Sequence, residues 1–159
     1  MASIYLSTAG IKLGYAVEAA AGTMPTSFAE IPDITSIGSV NPEPQTIDVT
    51  PLSEPTWRRY IDALRDVGGA IPFGANLTDA FMTAWGAVVR AAEEGKAAGK
   101  STWFAFYIPG LSKSFAFTGN PATLGFEGAE VGNALQTTAY ITPTNIKGFV
   151  DKVTMTDAA

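Results

Sequence analysis

The chain has 159 residues, enough for one ordinary domain with a real core, and only 16% of them are charged against a norm of about 25%. A net charge of −5 argues against a sequence-independent grip on nucleic-acid phosphates. The absence of cysteine excludes disulfides and thiol catalysis, and the absence of histidine removes the commonest general base and metal ligand.

In chain order, residues 1–10 carry only the short patch Ile4-Tyr5-Leu6 and read as a loose N-terminal arm. No charged region leads into an apolar run there, so no secretory signal is expected. Ile11, Leu13, Tyr15 and Val17 alternate, which predicts a strand, and an Ala/Gly/Pro loop follows over 19–26. Phe28–Val40 predicts one extended, bulged segment interrupted by Pro32. After the turn Asn41-Pro-Glu-Pro44, Thr46–Thr50 predicts a short strand with Ile47 and Val49 on one side. Pro51 and Pro55 then break the pattern, since neither has an N–H to give a ladder. The stretch 45–68 therefore reads as two strand ends joined by a long surface excursion, which leads into Trp57-Arg58-Arg59. A loop of this length is uncommon unless functional or disordered, and aromatics with Arg are favoured in partner contacts.

Tyr60, Ile61, Leu64 and Val67 have helical spacing, yet Gly68-Gly69 and a strand-like 70–77 follow at once, so pattern alone leaves helix and strand open. One helix is clear, over about residues 79–95. Thr78 can cap it, Asp79 suits its positive end, and Phe81, Ala84, Trp85, Val88, Val89 and Ala92 form one apolar stripe. Gly95 or Gly99 is expected to end it. Beyond it the pattern is β: strands at Thr102–Ile108, Ser112–Thr118, Ala122–Val131 and Leu135–Thr142, with a turn at Gly119-Asn-Pro121. The uncharged stretch Val131–Ile146 is rich in Thr, Gln and Asn and is no membrane span. Residues 151–159 read as a flexible C-terminal tail. The expectation is a soluble, unprocessed, mainly β chain, one domain over 1–159, built as a sandwich or barrel with a single flanking helix.

No catalytic constellation assembles. Asp62 and Asp66 lie among Arg58, Arg59 and Arg65 as a solvated charge ladder, and Glu93-Glu94 is a solvated helix face. Gly68-Gly69 lacks the context of a phosphate loop. No enzyme, cofactor or metal site is expected. Trp103, Phe104, Phe106 and Tyr107 fall on both faces of one strand, which reads first as burial on both sides and second as a stacking platform for sugar or base. Charge is unevenly spread: between Lys12 and Arg58 there is no basic residue, while Glu18, Glu30, Asp33, Glu43, Asp48 and Glu54 all fall there.

The order of several pieces resembles the major tail tube proteins of long-tailed, non-contractile bacteriophages. They are Ile31-Pro-Asp-Ile-Thr-Ser-Ile-Gly38, Thr46-Ile-Asp-Val-Thr-Pro-Leu52, Tyr60-Ile-Asp-Ala-Leu-Arg-Asp-Val-Gly68, Trp103–Gly110, Phe115-Ala-Phe-Thr-Gly119 and Ala139-Tyr-Ile-Thr-Pro-Thr144. The resemblance implies a β-sandwich or barrel-like subunit with one helix and a long loop between early strands. It also implies assembly into hexameric rings stacked as a virion tail tube that carries DNA without sequence-specific binding. Implied partners are further copies of the chain and tape measure, tail terminator and distal tail proteins, with no membrane. The inter-subunit loop would be Ile47, Asp48, Val49, Thr50, Pro51, Leu52, Ser53, Glu54, Pro55, Trp57, Arg58 and Arg59. The candidate acidic, lumen-facing residues are Glu18, Glu30, Asp33 and Glu43, and Tyr60–Val67 becomes a strand. Two alternatives stand beside this: the inner tube of a contractile tail or secretion system, and a β-sandwich carbohydrate-binding module using Trp57 or Trp103.

Overall fold

The computed structural model describes residues 5–65 and 68–156. Its strands are β1 (Lys12–Val17), β2 (Ser27–Glu30), β3 (Ile34–Ile37), β4 (Thr46–Asp48), β5 (Tyr60–Asp62) and β6 (Ile71–Asn76), then, after helix α1 (Asp79–Ala97), β7 (Thr102–Tyr107), β8 (Lys113–Pro121), β9 (Gln136–Asp151) and β10 (Thr154–Thr156). Eight strands form one sheet in the order β10-β2-β1-β7-β8-β9-β6-β3, and β4 pairs only with β5. The β10/β2 pair is parallel and the rest are antiparallel.

A short piece of chain shows that this sheet is curled. β2 lies second from one edge and β3 is the opposite edge, six strand spacings away, which would be about 29 Å in a flat sheet. Only Ile31-Pro32-Asp33 joins them, a reach of about 10–14 Å. The Ile31 amide still donates to Leu13 O at 2.8 Å, and Asp33 O accepts from the Asn76 amide at 2.9 Å. The far edge must therefore return towards the near one, as in a partly closed barrel. Asp33 adopts φ 62° at this corner, a left-handed conformation that Asp tolerates better than most residues. Phe28–Val40 is thus two strands at opposite ends of the sheet, not one bulged segment. The expected bulge survives as a register shift between Ile34 and Ser36.

α1 begins as its sequence dictates. Thr78 Oγ1 accepts from the Phe81 amide at 3.1 Å and donates to the Asp33 carboxylate, so the cap is also tied to the sheet corner. Thr78→Ala is expected to cost about 1 kcal/mol, read as a lower urea midpoint with an unchanged slope. Gly99, at φ 74°, ends the helix. The Lys100 amide donates to Gly95 O at 2.7 Å and the Gly99 amide to Lys96 O at 3.1 Å, a Schellman closure. Gly95 instead stays inside the helix, where an added Cβ would lie 3.0 Å from Val17.

The main core joins Phe81, Trp85 and Val88 of α1 to Leu13, Phe73, Phe104, Phe106, Phe117 and Ile141 of the sheet. A smaller core holds Phe28, Trp103, Ala105, Ala116 and Val153. Alternate residues of β7 enter the two cores, so that strand is buried on both faces. Trp103 is not a stacking platform.

Four expectations for the C-terminal half are corrected. Gly119-Asn-Pro121 is no turn but the end of β8, paired with Pro143, Thr142 and Ile141 of β9. Gly119 is needed there because a Cβ would come within 2.7 Å of the Ile141 side chain and 2.9 Å of Thr142 O. Residues 122–131 form no strand: Gly125 and Gly128 interrupt the pattern, and the chain runs irregularly until β9 begins. β9 itself is far longer than 135–142, since it pairs β6 with its first part and β8 with the rest. The tail expected at 151–159 is in part β10, with Val153 buried, and residues 157–159 lie outside the described residues.

Candidate assembly surfaces

Residues 45–65 fold as an antiparallel ribbon, with Thr46, Ile47 and Asp48 opposite Asp62, Ile61 and Tyr60. The ladder extends to Ala63 N–Gln45 O at 2.7 Å and Val49 N–Arg59 O at 2.9 Å. Of the Tyr60–Val67 run only Tyr60–Asp62 is therefore strand; residues 63–65 are irregular, and Asp66 and Val67 lie outside the described residues. Strand alternation places Ile47, Val49 and Ile61 on one face and Asp48, Thr50, Arg58, Tyr60 and Asp62 on the other. Both faces meet solvent. Ile47, Val49, Leu52, Trp57, Tyr60, Ile61 and Leu64 are all exposed, Trp57 at 75% and Leu52 fully.

The ribbon's tip is built by its own side chains. Glu54 accepts from the Thr56 amide at 3.2 Å, from the Trp57 amide at 3.4 Å and from Arg59 Nη2 at 3.0 Å. Thr50 Oγ1 accepts from the Arg59 amide at 2.7 Å, and the Thr50 amide donates to Asp48 Oδ1 at 2.9 Å. Hydrogen bonds from Thr50 hold the Asp48 carboxyl below the usual aspartate range, and Arg58, 4.0 Å away, acts in the same sense. An isolated two-stranded hairpin is marginal in water. This one has polar bonds to shape its turn, but about half of its apolar face, Ile47, Val49 and Ile61, is left open to solvent.

The four acids proposed for one face lie on separate elements. Glu30 in β2 lies 3.8 Å from Lys12 Nζ, while Asp33 at the corner and Glu43 before β4 are exposed. Glu18 is a correction: it is only 3% exposed and therefore cannot line an open wall. Its carboxylate accepts from Trp103 Nε1 at 3.0 Å and from the Ser101 amide at 2.9 Å, clamping the end of β1 to the start of β7. The Trp103 indole, then the Ser101 amide, lower its pKa below the ordinary value of 4.5 despite desolvation. With the folded value below the unfolded one, the clamp's contribution is complete above the unfolded value and fades as pH falls through the folded one. Glu18→Gln should flatten that acid limb and cost about 1 kcal/mol at neutral pH, measured as melting temperature against pH.

A second exposed apolar feature lies on the body. Leu77, Met82, Trp85, Gly86, Val89, Leu124, Gly125 and Phe126 line an open groove of about 430 Å³ between α1 and the segment after β8. The Trp85 indole donates to Ala122 O at 2.9 Å, which holds that segment beside the helix. The sequence pattern missed this site because it assigned 122–131 to a strand. Exposed Met82 in α1 and Phe126 beyond Gly125 were its only signals. Among the described residues no group of three or more acidic side chains is placed to hold a metal ion. No described helix is long and apolar enough to cross a membrane.

The architecture is thus that of a mainly β, curled single sheet with one packed helix and a projecting ribbon. No family model matches the sequence, and no curated protein matches it. Among solved structures, the fold is shared with a chain in the cryo-EM structure of the anti-feeding prophage baseplate, 6-fold symmetrised. That likeness has a TM-score of 0.62 at 10% identity and covers 95% of this chain and 98% of the other.

Proposed function

We propose that the protein is a structural subunit of a phage-type tail, assembling as rings of six that stack into a tube through which DNA passes. The observation that carries this reading is the 45–65 ribbon, both of whose faces meet solvent and which leaves seven large apolar side chains exposed among the described residues. Monomers rarely leave such a patch open unless it meets a partner. The fold shared with a baseplate chain of a six-fold assembly supports the same class of role and the ring size. The loop residues Ile47–Arg59 are the inter-subunit contact, and Glu30, Asp33 and Glu43 are the acids available to a lumen wall. Acidic residues there would keep DNA from adhering, since like charge lowers binding to phosphate. Tape measure, terminator and distal tail proteins are the partners at the tube's ends, the mature location is the virion tail, and no catalytic step is required.

Negative-stain microscopy of the purified protein tests the proposal: rings or tubes of uniform diameter are expected at high concentration. Strictly monomeric sedimentation, with no tubes after prolonged incubation, would overturn it. The second reading, a tube or baseplate subunit of a contractile tail, is favoured by the baseplate origin of the structural neighbour. An outer sheath around the tube in micrographs of native particles distinguishes the two.

A further inference from the structure

The ribbon and the groove are separate features of one chain, since no ribbon residue lines the groove. We propose that Trp57 at the ribbon tip of one copy seats in the groove between α1 and residues 122–126 of a second copy. This rests on the assembly reading and names the surface that receives the ribbon.

Three observations carry it. The first is α1's own sequence. Gly86 sits in the middle of the helix, where an added Cβ would meet nothing within 4 Å among the described residues, and the same holds for Gly125 across the groove. Glycine is less favourable than alanine in a helix interior, and nothing in the monomer needs it at this place. Two glycines facing an open groove leave room for a flat ring to come close to backbone. The second is chemistry. The walls include Met82 and Phe126, both more than half exposed, and a thioether beside aromatic rings suits an indole. The tip offers Trp57 on a turn that Glu54 has already built, so little ordering is needed on docking.

The third is area and symmetry. Weighted by their exposed fractions, the seven apolar side chains of the ribbon present on the order of 900 Å², at roughly 200 Å² for a fully exposed large side chain. That matches one partner's share, about 800 Å², of a standard interface. A projection on one part of the chain fitting a groove on another is a head-to-tail contact. Each added copy leaves a fresh ribbon and a fresh groove, so the contact closes into a ring or continues as a stack.

The test uses the whole chain, whose lack of cysteine makes introduced thiols unambiguous. Thr56→Cys beside the tip and Thr123→Cys in the groove wall are made as separate variants, mixed, assembled and oxidised. A heterodimer joined through 56 and 123 is expected, absent when either variant is alone. Gly86→Ala is expected to raise the monomer's melting temperature by about 2–4 °C while raising the concentration needed for assembly at least tenfold. Gly86→Leu, a folded monomer by circular dichroism, should not assemble. Normal tubes from Gly86→Leu, or assembled mixtures with no 56–123 link, would overturn the groove and leave the assembly reading standing. A wild-type chain that never assembles would overturn both.

Discussion

Replacing Pro51–Pro55 with an Asn-Gly turn should leave a folded subunit and abolish rings and tubes. The expected signature is an unchanged far-ultraviolet spectrum and melting temperature, with sedimentation at the monomer position up to about thirty times the concentration at which the wild type assembles. The reason lies in where the ribbon's bonds go. Its ladder joins only β4 to β5, and neither strand enters the eight-stranded sheet. Nothing in either core depends on the tip. Removing Glu54 also removes the three bonds that orient Thr56, Trp57 and Arg59. A desolvated Trp anchor is commonly worth about 2–4 kcal/mol. The shortened ribbon should therefore raise the assembly threshold at least thirtyfold, and repetition around a ring multiplies the loss. Normal tubes from this variant would show that the ribbon is decoration.

Trp85→Ala should have the largest effect on folding, about 3–5 kcal/mol, a large share of the 5–15 kcal/mol that holds a typical domain. Trp85 is fully buried, stacks against Phe81 at 6.0 Å between centroids and donates to Ala122 O. The variant opens a cavity between helix and sheet and releases the segment that forms the groove's second wall. Denaturant unfolding reads the first loss. Faster amide exchange near residues 122–126 reads the second. Phe81→Leu retains the Trp85 hydrogen bond and should cost less, with that segment still protected.

What could be read from sequence divides along a physical line. α1 was legible because its signals are local: a capping Thr, an acidic first turn, a stripe at 3.6-residue spacing and a terminal glycine. β1 and β7 were legible because alternation or a run of aromatics shows which faces are buried. The Ile31–Asp33 corner was not, since only the long-range pairings of Leu13 and Asn76 reveal that the chain changes sheet edges there. Gly119-Asn-Pro121 carries turn chemistry yet is held in β8 by the long β9, and a local rule has no access to that partner. Glu18 was misplaced for the same reason, because its partners lie more than eighty residues away. The ribbon was visible as two strand ends around two prolines. The exposure of Tyr60, Ile61 and Leu64 was not, since apolar spacing alone describes a core as well as an unfilled interface.

The parallel pairing of β10 with β2 sets a timetable for the molecule. Ser27 and Thr154, register partners, are 127 positions apart in sequence. At about 5–20 residues per second, synthesis separates them by roughly 6–25 s. Throughout that interval β2 has its outer edge open, and Phe28 lacks the cover that Val153 and Met155 later provide. Closure of the smaller core thus waits until residues 153–156 have been made. A truncated product would carry a raw strand edge, the feature most prone to pairing with the wrong neighbour.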